Sequence, residues 1–137
     1  MILYLDTSSL VKLYIQEGGS EEIAALVADA TIVATSGIAY PEARAAFARR
    51  RRERAITRSA HASIVRRFDA DWSSYLSLEL TDAIAREAGA LADRFGLRGG
   101  DAVHLAAFAD LLGRTEDEEA IFSTADARLA RAARRLG

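Results

Sequence analysis

Four carboxylates stand where an apolar run has just given way to small polar residues or glycine: Asp6 in ILYLDTSS, Glu42 in TSGIAYPE, Asp101 in LRGGD and Asp126 in IFSTAD. Ionised carboxylates gathered within a few Å repel one another, so such a group either raises its pKa values or is held together by a cation. With no cysteine and two histidines in the chain, the donors are oxygens, and oxygen donors select Mg²⁺ or Mn²⁺ over Zn²⁺. Such a site suits phosphodiester hydrolysis, because a divalent ion polarises the phosphate, lowers the pKa of a water and neutralises charge as the bond breaks. The protein then needs no nucleophile of its own.

Each acid also has an ordinary structural reading. Asp6 suits a helix cap, Ser123 with Asp126 fits a capping box, and Asp101 in a first turn complements a helix dipole. The set is what argues otherwise: four acids at topologically equivalent places, none with a Lys or Arg partner obvious from spacing.

The elements that would carry them read as strands alternating with helices. Ile2 to Leu5 is a short apolar run stopped by Asp6-Thr7-Ser8-Ser9, hence strand, then helix from about Ser8. Thr31 to Ala34 is a second strand, leading through Thr35-Ser36-Gly37 into an Ala-rich helix that carries Glu42 and either begins or bends at Pro41. Helical patterns cover roughly Thr57 to Trp72 and Asp82 to Phe95, with an alternating segment, Tyr75 to Leu80, that predicts an edge strand. Asp101 to Leu112 is apolar nearly all round and reads as a buried helix, Ala120 to Phe122 as a strand, and Ala125 to Leu136 as the closing helix. This order implies an α/β fold, an open and mainly parallel sheet covered by helices. Ligands of such sheets bind beyond the carboxyl ends of the strands, which is the edge where all four acids can meet.

At 137 residues and half hydrophobic, the chain builds one core, so a single domain over 1–137 is expected. A net charge of -2 does not announce a nucleic-acid binder, and affinity for phosphates must come from local patches. The N-terminus lacks a basic region and a long apolar run, and no stretch approaches the ~20 apolar residues of a membrane span, so a cytoplasmic protein with no membrane association is expected.

Taken in order, LYLDTSSLVKLY, TSGIAYPEARAAFARR, LRGGDAVHLAA and FSTADARLARAARRLG resemble the motifs of PIN-domain ribonucleases, and among them the VapC-like toxins of type II toxin–antitoxin pairs. The resemblance spans the chain and implies a three-layer α/β/α fold with Asp6, Glu42, Asp101 and Asp126 as an acidic, catalytic quartet. Thr7, Ser9 and Thr124 fall on supporting hydroxyl positions. It further implies Mg²⁺- or Mn²⁺-dependent endoribonuclease action on structured RNA such as tRNA or rRNA, a homodimer, and a cognate antitoxin that can push a basic side chain into the acidic pocket. In this reading Asp6 and Asp101 ligate the metal directly, while Glu42 and Asp126 complete the shell and orient the attacking water. The cut would leave a 5′-phosphate and a 3′-hydroxyl.

Other features carry two readings each. Arg49, Arg50, Arg51 and Arg52, followed by Arg54 and Arg58, either hold RNA phosphates near the acids or form a solvated helix end favoured by the dipole. His104, one turn after Asp101, is either a hydrogen-bonded structural residue or a participant in the site; His61 has less to recommend it. The acidic run Glu116 to Glu119 reads as an exposed loop. Tyr4, Tyr14, Tyr40, Phe47 and Phe68 read as core or dimer surface. An aspartyl-phosphate mechanism on Asp6 is disfavoured by Ser8, where a second Asp is wanted, and by Lys12 being the only lysine. A non-catalytic PIN-like module that binds RNA or protein is the alternative of a different class.

Overall fold

The computed structural model describes residues 1–116 and 118–136; Asp117 of the acidic run and Gly137 at the end of the expected domain lie outside the described residues. Strands β1 (Ile2–Leu5), β2 (Ile32–Ser36), β3 (Leu76–Leu78) and β4 (Ala120–Ser123) form one sheet in the order β3-β2-β1-β4. Every neighbouring pair is parallel, and the register sets Leu5 opposite Ser123 and Tyr4 opposite both Ala34 and Phe122. The alternating segment supplies the edge strand β3, shortened to Leu76–Leu78 and with Leu76 left exposed.

Helices α1 (Thr7–Val11), α2 (Ser20–Asp29), α3 (Ala39–Arg52) and α4 (Arg58–Trp72) precede β3, and α5 (Asp82–Phe95), α6 (Gly99–Arg114) and α7 (Ala127–Arg134) follow it. Side chains of a strand alternate between faces, and β1 uses both. Leu3 and Leu5 enter a core with Leu10, Ile23, Phe47 and Phe68 from α1 to α4. Ile2 and Tyr4 face the other way, onto Ala107, Phe108 and Leu111 of α6. A further cluster joins Ile84, Leu91, Leu105 and Leu129 across α5, α6 and α7. The result is three layers, α/β/α, with β1 at the centre.

All four β1 residues are buried. Each large apolar side chain so buried contributes roughly 1.5–3 kcal/mol, which holds the residue following β1, Asp6, in a rigid place. The aromatic residues are core: Tyr4, Phe47 and Phe68 are fully buried, and Tyr40 stacks on Phe68 at 5.2 Å.

Three boundaries differ from expectation. Helix α2 was not anticipated, although Ile23, Leu26, Val27 and Ala30 recur at i, i+3, i+4 and i+7 and form the face it packs on the core. Helix α3 starts at Ala39, so Pro41 sits in the first turn, where a missing N–H costs nothing. Helix α7 starts at Ala127, two residues late, because Asp126 itself is the cap: its Oδ1 accepts from the N–H groups of Arg128 and Leu129. Ser123 belongs to β4 and does not cap. Among the described residues no helix is long and apolar enough to cross a membrane.

Candidate active site

Asp6 follows β1 and caps α1, and its side chain is 3% exposed. Oδ1 accepts from the Ser8 hydroxyl at 2.7 Å and the Ser9 N–H at 3.0 Å; Oδ2 accepts from the Thr124 hydroxyl at 2.5 Å. Among the described residues it has no Lys or Arg partner. Burial pushes its carboxyl pKa up, against the lowering effect of the Thr124 and Ser8 hydroxyls and the Ser9 N–H. A buried anion met only by hydroxyls and one amide is where a cation would bring the largest gain.

Thr124 ties two acids together. Its hydroxyl donates to Asp6 and accepts from the Asp126 N–H at 3.1 Å. The Ser8 hydroxyl does the same between Asp6 and the N–H of Ala125 at 2.9 Å. Sequence reasoning did not single out Ser8. The hydroxyl of Ser9, which it did, turns to Ser123 at 2.9 Å, so Ser9 supports Asp6 through its backbone alone.

Glu42 lies in the first turn of α3. Its Oε1 accepts from the Thr7 hydroxyl at 2.6 Å and lies 3.0 Å from His104 Nε2. Its Oε2 lies against the first turn of α6, where a Cβ on Gly100 would stand 2.9 Å away. The His104 hydrogen bond holds the Glu42 carboxyl below its usual pKa, against partial burial and with help from the Thr7 hydroxyl.

His104 is 2% exposed, and its Nδ1 is 2.8 Å from the Tyr4 hydroxyl. The network closes when Tyr4 donates to Nδ1 and Nε2 carries the proton toward Glu42 and Thr7, a tautomer assigned from its partners. The Nε2–Thr7 distance is 3.0 Å. His104 therefore orients Glu42, a role that no spacing in the sequence displays because Tyr4 and Glu42 are distant in the chain.

Asp101 stands in the first turn of α6, and Arg98 Nε lies 3.5 Å from its Oδ2. That pair corrects the expectation that none of the acids has an arginine at helical spacing. With Arg98 86% exposed the pair is weak.

Three of the four acids line two separate grooves beyond the carboxyl ends of the strands, and the fourth, Asp6, lies in neither. Asp101 and Asp126 share one of about 520 Å³ with Arg98, Arg128 and Arg131. Glu42 and Thr7 share one of about 390 Å³ with Arg49 and Arg52. Asp6 is buried at the end of the central strand. Among the described residues no three Asp, Glu or His side chains are drawn in closely enough to hold an ion as they stand. The donor set nevertheless fits a hard divalent ion, being all oxygen with an uncompensated buried carboxylate. A groove of about 610 Å³ lies away from these acids, between β3 and α5 with α6, walled by Leu76, Glu79, Ile84 and Asp110.

Comparison with known proteins gives the family. Residues 3–135 match the family described as PIN domain. Ribonuclease VapC45 of Mycobacterium tuberculosis (strain CDC 1551 / Oshkosh) is 40% identical over 105 residues, which is 77% of this chain and 73% of that protein. Ribonuclease VapC49 of the same species (strain ATCC 25618 / H37Rv) matches to the same extent, 40% over 105 residues. Among solved structures, FitAcB from Neisseria gonorrhoeae superposes with a TM-score of 0.69 at 19% identity, covering 98% of this chain and 94% of that one. VapBC2 from Rickettsia felis, bound to a DNA fragment from their promoter, gives a TM-score of 0.59 at 13% identity, covering 90% and 100%. The last two bear on the fold alone.

Proposed function

We propose, from the premise that the chain belongs to the PIN-domain family and resembles its VapC ribonucleases, that it is a divalent-metal-dependent endoribonuclease and the toxin of a toxin–antitoxin pair. The observation that carries this reading is Asp6: a carboxylate buried at the end of the central strand, held by three hydrogen bonds and with no Lys or Arg partner among the described residues, with Glu42, Asp101 and Asp126 toward the same sheet edge. Relatives at 40% identity that are named ribonucleases support the reaction class.

Asp6, Glu42, Asp101 and Asp126 would hold Mg²⁺ or Mn²⁺, which when bound polarises the scissile phosphate and acidifies a water beside it. The chain's own residues prepare that site. Thr124 and Ser8 fix both oxygens of Asp6 and the backbone leading to Asp126. His104 and Thr7 hold Glu42 ionised and aimed, and Gly100 leaves room for its second oxygen. Arg49 and Arg52 bring positive charge to the groove of Glu42, where an RNA phosphate would lie. A folded RNA, tRNA or rRNA, is the substrate, a second copy of the chain completes a homodimer, and a cognate antitoxin restrains it in the cytoplasm.

The test is cleavage of total cellular RNA by purified protein with Mg²⁺, with EDTA, and by Asp6→Asn with Mg²⁺. Discrete fragments that vanish in the last two lanes are expected. Equal cleavage in all three would overturn the four-carboxylate site.

A further inference from the structure

The arginines near the acids divide by direction. On α3, the face that carries Glu42 continues through Ala45 and Ala46 to Arg49 and Arg52, all lining the groove that Glu42 shares with Thr7. At 1.5 Å of rise per residue, Arg49 and Arg52 sit about 10 and 15 Å along the axis from Glu42. Arg50 turns away and pairs with Glu17 at 2.7 Å. Arg52 is also the link to a second groove of about 560 Å³, walled by Arg51, Arg54 and Arg58 as α3 gives way to α4.

The turn between those helices is informative. Arg54 has φ 60°, and the N–H groups of Arg54 and Ala55 bond to the carbonyls of Arg51 and Arg50 at 3.0 and 2.9 Å. This helix-ending turn ordinarily takes glycine, because a side chain in the left-handed region costs roughly 1–2 kcal/mol.

The other side of the acids repeats the pattern. Arg128 and Arg131 of α7 line the groove of Asp101 and Asp126, and both continue into a neighbouring groove with Arg135 beside Phe95. Among the described residues none of Arg49, Arg52, Arg128 and Arg131 is in an ion pair. A chain of net charge -2 thus sets arginines without an ion pair beside each of two acid-lined grooves, whose carboxylates would by themselves repel phosphate.

We infer, resting on the ribonuclease reading, that the Arg49/Arg52 groove and the Arg128/Arg131 groove are two phosphate-binding flanks that hold one RNA strand on both sides of the acids. The preferred substrate is therefore an internal stretch of polynucleotide, gripped upstream and downstream of the bond to be cut. Base edges are not read by these contacts, since guanidinium–phosphate bonds position a strand without specifying its sequence.

The experiment is binding of a fluorescein-labelled single-stranded oligoribonucleotide, followed by anisotropy in EDTA over a range of NaCl concentrations. The proteins are wild type, Arg49→Gln/Arg52→Gln, Arg128→Gln/Arg131→Gln, the quadruple variant, and Arg86→Gln, which sits in an exposed pair with Asp82 on α5. Each neutralised phosphate contact on a single strand lowers the slope of log K against log salt by about 0.7, so each double variant should lose about 1.4 and the quadruple about 2.8, with Arg86→Gln unchanged. Variant slopes equal to wild type, a drop shared by Arg86→Gln, or no binding by wild type at low salt each overturn the two flanks. Slopes that fall as expected in a protein that cuts no RNA with Mg²⁺ would leave the flanks standing and remove the nuclease reading; cutting with unchanged slopes would do the reverse.

Discussion

Replacing Asp6 with Asn keeps the size of the side chain and removes the charge. Two effects oppose each other. Hydrogen bonds to a charged group are worth about 1.5–3 kcal/mol and neutral ones about 0.5–1.5, so losing the charge weakens the two bonds from Ser8 and Ser9 and replaces the third acceptor by an NH2 that the Thr124 hydroxyl can only accept from, a loss of roughly 3–4 kcal/mol together. Against this, an ion almost removed from water carries a penalty of several kcal/mol. Burial outweighs the hydrogen bonds in raising the Asp6 pKa, so Asp6→Asn should stabilise the protein in EDTA at neutral pH by about 1 kcal/mol, or about 3 °C at this chain length. The sign with pH follows. A carboxyl raised above its ordinary 3.8 contributes stability that is full below that value and is lost as pH rises through its folded value; the variant should lack that decline. An ion bound at a hundredfold excess over Kd adds about 2.7 kcal/mol to a protein that holds it. Wild type should therefore overtake the variant when Mg²⁺ is added. Thermal melts of both proteins, with EDTA and with Mg²⁺, across pH, are the assay. A variant that melts well below wild type in EDTA, or an equal Mg²⁺ shift in both, would refute the reasoning.

Four further outcomes are expected. Glu42 is held below its ordinary 4.5, so its contribution is present above that pH and lost as pH falls through its folded value; Glu42→Gln should flatten this part of the acid limb in urea titrations compared with wild type. Gly100→Ala would set a methyl 2.9 Å from Glu42 Oε2, displacing a flexible carboxylate: cleavage should fall on the order of tenfold to a hundredfold while the melting temperature holds or rises, measured by kcat and calorimetry. Tyr4→Phe leaves the buried His104 Nδ1 without its donor and should cost about 1–3 kcal/mol in denaturant unfolding, with reduced cleavage. Arg54→Gly relieves a left-handed arginine but loosens the unfolded chain, for a net gain of about 0.5 kcal/mol with weaker RNA binding in the anisotropy assay.

Much of the architecture is legible in the residues because its signals are local. Helix α5 runs Asp82–Phe95 as expected, since Thr81 accepts the Ile84 N–H at one end and Gly96 takes φ 65° at the other. The acids are legible for the same reason: each follows a strand or opens a helix. Long-range partners are not. Nothing near His104 in sequence names Tyr4 or Glu42, and LDTSS alone does not decide that Ser8 rather than Ser9 turns its hydroxyl to Asp6. The run Arg49 to Arg52 looks uniform as text. Helical arithmetic counted from Glu42 separates Arg49 and Arg52 from Arg50, but only packing supplies Glu17 to hold Arg50 aside.

The pairing of β1 with β4 also sets a timetable. Asp6 is made well before its partner, since the hydroxyl that fixes one of its oxygens belongs to Thr124, 118 positions later. Strand β1 has β2 beside it early, but its other edge stays open until Ala120–Ser123 has been synthesised. Chains are built from the N-terminus, and contacts this distant form only after the intervening loop has closed. The hydrogen bonds that fix Asp6 are thus completed only once β4 has been made, so an unfinished copy still on the ribosome, surrounded by RNA, carries Asp6, Glu42 and Asp101 without the strand that leads to Asp126.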